Sequence, residues 1–151
     1  MLYLRTLRVL VLLLLLTFQS ALAHASLETS TPADGAIISA PQEIVLTFVE
    51  PIETMFSVFE LHQLEVTADA SHELRAQAAD TAMTQAFNMN ATSLRATEML
   101  TSGQSATVTL TLSDLDPGSY TLMWRVLSVD SHPSQGFITF VVSDKPTTNS
   151  D

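Results

Sequence analysis

Leu115-Asp116-Pro117-Gly118-Ser119-Tyr120 opens a run that continues as Thr121-Leu122-Met123-Trp124-Arg125-Val126-Leu127-Ser128-Val129. Pro117-Gly118 marks a turn, and beyond it Tyr120, Leu122, Trp124 and Val126 recur at period two. That pattern reads as a strand over 119–129 with one face turned to a core. Working outward, 136–142 is a continuous β-branched and aromatic run. In 106–112, Val108, Leu110 and Leu112 alternate with threonines, and in 43–49, Ile44, Leu46 and Phe48 share a face. Residues 56–66 are apolar and β-prone, with the alternation broken around Phe59-Glu60. A first strand near 26–31 is separated from the next by the turn signal Pro32-Ala33-Asp34-Gly35.

A turn followed two residues later by a tyrosine at a strand start resembles the tyrosine corner of immunoglobulin-like sandwiches. The expectation is an all-β, immunoglobulin-like Greek-key sandwich or barrel of about seven strands. In it, 119–129 and 136–142 form the last hairpin, joined by Asp130 to Gln135. Residues 67–104 are rich in Ala, Thr, Ser and Asn and poor in large apolar side chains. They read as a partly irregular insertion, in which 71–87 can form a helix with a thin stripe of Leu74, Ala78 and Ala82.

The 151 residues fit one domain. A basic start, an apolar run over 9–18 and the small-residue end Ala21-Leu22-Ala23 have the order of a secretory signal peptide cleaved after Ala23. That run is too short to cross about 30 Å of hydrocarbon, and no later run approaches spanning length. The expected organisation is a signal peptide over 1–23, a domain over 24–143 and a disordered tail over 144–151, with no membrane span left after cleavage. Removing Arg5 and Arg8 leaves four basic residues against sixteen acidic ones, a formal charge of −12. So negative a surface argues against a nucleic-acid partner, which needs clustered Lys or Arg. With no cysteine in the chain, a disulfide framework, a thiolate metal site and a cysteine nucleophile are excluded.

Cleavage after Ala23 makes His24 the first residue. Its α-amine and imidazole Nδ1 can close on one ion, and among first-row divalent metals such nitrogen donors favour Cu(II). Taken alone, His24 is equally well just the residue that happens to come first. In an immunoglobulin-like sandwich, however, the start of the first strand, the end of the second and the loop of the last hairpin lie at one end. Here they carry His24, Glu50 and Asp130-Ser131-His132-Pro133. As a loop by itself, Asp130-Ser131-His132 reads as a polar Asx-type turn. Converging with His24, it gives three nitrogens and one carboxylate oxygen for Cu(II), with Glu50 as a hydrogen-bonding neighbour of the ligands.

The stretches His24-Ala25-Ser26-Leu27, Ser30-Thr31-Pro32-Ala33-Asp34-Gly35, Leu46-Thr47-Phe48-Val49-Glu50-Pro51, Leu115 to Tyr120 and Trp124 to Pro133 together resemble the CopC-type copper-resistance proteins, including their PcoC- and YobA-like members. The resemblance covers nearly all of 24–142 apart from 67–104. It implies a periplasmic, non-catalytic protein that binds one Cu(II) per mature chain through His24, Asp130 and His132, with Glu50 nearby. It also implies sequestration, resistance or delivery, with a membrane copper transporter as a possible partner. Two features depart from the family. Ser131 stands where the loop usually has glycine, so its geometry is expected to differ. The clustered methionines that bind Cu(I) in some members are replaced by scattered Met83, Met89 and Met99, with Met55 and Met123 inside strands. Scattered methionines read as core filler, and His62 and His72 as surface residues, so no Cu(I) site is expected. Two other functions compete. An N-terminal-histidine copper site on a β-sandwich also resembles the active centre of lytic polysaccharide monooxygenases, an oxidative enzyme. A metal-free immunoglobulin-like interaction module is the other reading.

Overall fold

The computed structural model describes residues 25–89 and 98–144. Eight strands run in the order β1 (Leu27–Thr31), β2 (Ala36–Ile38), β3 (Glu43–Glu53), β4 (Val58–Gln63), β5 (Glu98–Met99), β6 (Gln104–Thr111), β7 (Gly118–Leu127) and β8 (Pro133–Val142). One helix, α1 (His72–Met89), lies between β4 and β5, and a single 3-10 turn (Thr54–Phe56) links β3 to β4. Two four-stranded sheets result, ordered β1-β3-β6-β5 and β2-β8-β7-β4. Seven of the strands have three or more residues and β5 only two, so the expected sandwich is the architecture found.

The core between the sheets follows from the alternation. Ile44, Leu46 and Phe48 of β3 and Val108 and Leu110 of β6 face Tyr120, Leu122, Trp124 and Val126 of β7 and Ile138, Phe140 and Val142 of β8, all at most 4% exposed. Trp124 meets Phe48 edge-on, ring centroids 6.0 Å apart at 81°. Tyr120 stacks on Phe140 at 5.7 Å, and its hydroxyl donates to Asp116 O at 2.8 Å. That bond is the tyrosine corner: a ring too large to leave outside the core keeps its polar tip satisfied by the turn that precedes it.

The first edge of the sandwich is shared between the sheets. β1 pairs antiparallel with β3, whereas β2 crosses over to pair in parallel with β8. The crossing is the Pro32–Gly35 turn, and Asp34 secures it. Asp34 Oδ1 accepts from the Thr139 amide at 2.8 Å and hydroxyl at 3.1 Å, while Gly35 N donates to Thr139 O at 2.7 Å. Gly35 has φ +79°, a conformation that favours glycine.

The described part of 67–104 is more regular than the sequence suggests. α1 spans 18 residues, and the Ser71 hydroxyl caps it by accepting from Leu74 N at 3.2 Å. Its buried face is not the stripe of Leu74, Ala78 and Ala82: Leu74 is half exposed, and Arg75, Ala79 and Ala86 are buried instead. The helix packs on β8 and β7, outside the sandwich, where Thr121, Met123, Thr139 and Val141 form a second buried layer. Alanines on the contact face let the two backbones come close, so a helix with little apolar bulk can still cover that layer. Other boundaries move as well: β3 runs on to Glu53 beyond the predicted 43–49, the 3-10 turn takes Phe56 from the run read as 56–66, of which β4 keeps Val58–Gln63, and β8 begins three residues before the predicted Gly136.

Candidate metal centre

β7 and β8 pair without a break from Gly118↔Val142 to Leu127↔Pro133. The loop between them is therefore only residues 128–132, shorter than the predicted Asp130 to Gln135. Its base is fixed to β3, with Ser128 bridging to Ile52 and Val129 N donating to Pro51 O at 3.2 Å. On the other side of the same β3 segment, Val49 N donates to Ser26 O at 2.9 Å. The segment from Val49 to Ile52, which contains Glu50, thus lies between the chain's first described residues and the loop. β3 pairs irregularly with β6 between Thr47 and Ile52, so Glu50 belongs to a stretch that leaves the regular ladder to reach both neighbours.

Within the loop, His132 Nδ1 and Asp130 Oδ2 are 2.8 Å apart. Both side chains are accessible, His132 at 57% and Asp130 at 35%. The Asp130 carboxyl titrates below its usual range, foremost because the Ser128 hydroxyl donates to its other oxygen; His132 adds to the effect and desolvation opposes it. The carboxylate is therefore an anion at neutral pH, as a ligand must be. Ser131, between them, has φ +68°, so it adopts the left-handed conformation that glycine takes more easily. The loop keeps a glycine-like backbone without the glycine.

Of the residues singled out in the sequence, Asp130 and His132 are brought into contact and Glu50 is adjacent through the backbone. His24 lies outside the described residues, but its neighbour Ala25 is fully buried in the core cluster. Among the described residues no group of three or more His, Asp or Glu side chains is placed to hold an ion. The remaining histidines are occupied. His72 Nε2 is 3.1 Å from Asp34 Oδ2, and His62 Nε2 is 3.0 Å from Glu60 Oε2. At 12% exposure, the His62 side chain is largely covered rather than the surface residue expected. Met123 is fully buried, Met99 packs against the core, and Met55 stands 81% exposed on the 3-10 turn rather than inside a strand. Met83 lies on α1 and is partly buried. Met89 ends the helix, and its side chain lies outside the description. Sequence reading missed Ser128, which is fully buried and bonded to both candidate ligands. The one signal for it was a serine at the apolar end of a strand, two residues before the aspartate.

The two-sheet sandwich thus displays, on its last hairpin, a carboxylate–imidazole pair close to the start of its first strand. The CopC domain model matches residues 27–143, and the chain belongs to the CopC family. It is 34% identical over 125 residues to copper resistance protein C of Xanthomonas campestris pv. juglandis, covering 82% of this chain and 83% of that one. It is 33% identical to copper resistance protein C of Pseudomonas syringae pv. tomato (81% and 82% covered) and to protein YobA of Escherichia coli K12 (82% of each). Among solved structures, PcoC, a methionine-rich copper resistance protein from Escherichia coli, superposes with a TM-score of 0.57 at 24% identity, over 80% of this chain and all of that one. The Xanthomonas, Pseudomonas and PcoC relatives are named as copper resistance proteins.

Proposed function

We propose that the mature chain is a periplasmic, non-catalytic Cu(II)-binding protein that sequesters copper or delivers it, as a resistance protein would. One ion binds at the hairpin end of the sandwich through the amine and ring of His24, the carboxylate of Asp130 and the imidazole of His132. Glu50 accepts a hydrogen bond from the amine or a ligand ring. The observation that carries the proposal is the 2.8 Å separation of His132 Nδ1 and Asp130 Oδ2. At that distance the two atoms share a hydrogen bond; two donors each about 2.0 Å from a first-row ion and at right angles also stand about 2.8 Å apart, so an ion can take the place of the shared proton with little movement. An imidazole and a carboxylate, in a chain without cysteine, suit the oxidised ion.

The reading requires export and cleavage after Ala23, which would free the amine of His24. An added residue in front of His24 turns that amine into an amide and removes a ligand. Trp124, the only tryptophan, is 4% exposed, so it offers no flat aromatic face to a polysaccharide, and the oxidative-enzyme reading gains no support from it. The test is Cu(II) titration of the mature chain, followed by intact mass and electron paramagnetic resonance. One Cu(II) per chain with nitrogen hyperfine structure is expected, weakened at least tenfold in His24→Ala and in His132→Ala. Unchanged affinity in both variants would refute the site.

A further inference from the structure

The Ser128 hydroxyl is fully buried, beneath a loop whose candidate ligands are exposed. Its oxygen accepts from the His132 amide at 3.1 Å. Its single proton has two acceptors within reach, Asp130 Oδ1 and His132 O, the latter at 3.0 Å. The carboxylate takes it, because a hydrogen bond to an anion is about twice as strong as one to a neutral carbonyl. The carbonyl loses little, since it already accepts from Ser128 N at 3.0 Å. Ser131 N closes the turn on Ser128 O at 2.9 Å. One side chain thus fixes the carboxylate of one candidate ligand and the backbone of the other. It is itself held to β3 by the Ser128–Ile52 bridge. Being buried, it does this without competition from water.

We infer that Ser128 is the positioning residue of the metal loop: its hydroxyl presets Asp130 and His132 at ligand spacing before an ion arrives. This rests on the Cu(II) reading above. Without the hydroxyl, the carboxylate is held only by the exposed His132 ring, and the His132 amide loses its bond to Ser128. The ion must then order the loop as it binds, which lowers affinity.

The experiment compares the mature wild type with Ser128→Ala, Ser128→Thr and His132→Ala by Cu(II) titration and electron paramagnetic resonance. Ser128→Ala is expected to weaken binding 10- to 100-fold, the range for groups that orient metal ligands, and to broaden or shift the copper spectrum. Ser128→Thr, which keeps the oxygen, restores both. A merely structural serine would lower the melting temperature and leave the spectrum as it was, and that result overturns the inference. Hydrogen exchange on the metal-free wild type gives an arm independent of any variant. The His132 amide should be protected, and exchange as fast as an exposed loop amide overturns the inference even if Ser128→Ala does not fold. If the wild type binds no Cu(II), the site reading itself falls, and the role of Ser128 with it. If the wild type binds and His132→Ala does not, but Ser128→Ala matches the wild type, only the positioning role fails.

Discussion

Ser131 holds a left-handed backbone that costs an L-residue roughly 1–2 kcal/mol. The loop tolerates this because the Ser131 amide bonds to Ser128 O and the chain must reverse within five residues to keep β7 and β8 in register. Glycine would relieve the strain but lose more freedom on folding, which offsets about 0.5–1 kcal/mol of the gain. Ser131→Gly should therefore stabilise the protein by about 0.5 kcal/mol, read as a rise of a few degrees in melting temperature. Ser131→Val should destabilise it, because a β-branched side chain suits φ +68° least. A melting temperature unchanged by valine would show that the loop does not hold this conformation in solution. A serine at this position predicts a loop geometry different from that of a glycine. At 131 the tertiary constraint overrode the residue's own preference, and local chemistry could not reveal that.

At the scale of elements, the β7–β8 hairpin is where pattern reading succeeded best. Every second residue of β7 from Tyr120 to Val126 faces the core as alternation requires. The opposite face could not be read the same way. Thr121 and Met123 are buried because α1 lies over them, and nothing local announces a cover supplied from residues 72–89. Gly136 shows how tightly the hairpin is packed. It pairs with Trp124, and a Cβ at 136 would stand 2.6 Å from Trp124 Cζ2. Room for the indole, rather than backbone freedom, is what requires glycine there. Gly136→Ala should cost about 1–3 kcal/mol through overpacking, with a change in tryptophan fluorescence as the ring shifts. A stability within 0.5 kcal/mol of wild type would mean that the ring relaxes freely. The helix tells the opposite story. Its existence was within reach of the sequence, but its buried face was not, because an Ala-rich stripe is too weak to set the rotation. The sheet it lands on decides that, and it selected Arg75, Ala79 and Ala86.

For the whole molecule, Asp34 is the tie between distant parts of the chain. It joins the β1–β2 crossing to β8 through Thr139 and to the start of α1 through His72. Burial works to raise its pKa, but the Thr139 amide and hydroxyl and His72 outweigh that, so the carboxyl titrates below its usual range. A carboxyl whose folded pKa is depressed contributes stability that is fully present above its unfolded value of about 3.9 and is lost as pH falls through the folded value. Asp34→Asn should therefore lower the melting temperature at pH 7. The gap from wild type should close progressively below about pH 4. A gap that is constant down to pH 3 would assign the effect to packing rather than to charge.

The short β2 and β5 escaped the sequence reading, but it did reveal β1, β3, β4, β6, β7 and β8, the residues they turn to the core, the corner at Tyr120 and the acidic, cysteine-free character of the chain. These depend on period, turn chemistry and composition, which are local quantities. It also named Asp130, His132 and Glu50 as residues worth bringing together. That His132 and Asp130 touch, and that His62 pairs with Glu60 under cover, follows from the folded arrangement alone. So does the burial of Ser128 beneath the loop between β7 and β8. Each of these depends on which segments the two sheets and the helix press together, and no local stretch of sequence encodes a neighbour supplied from far along the chain.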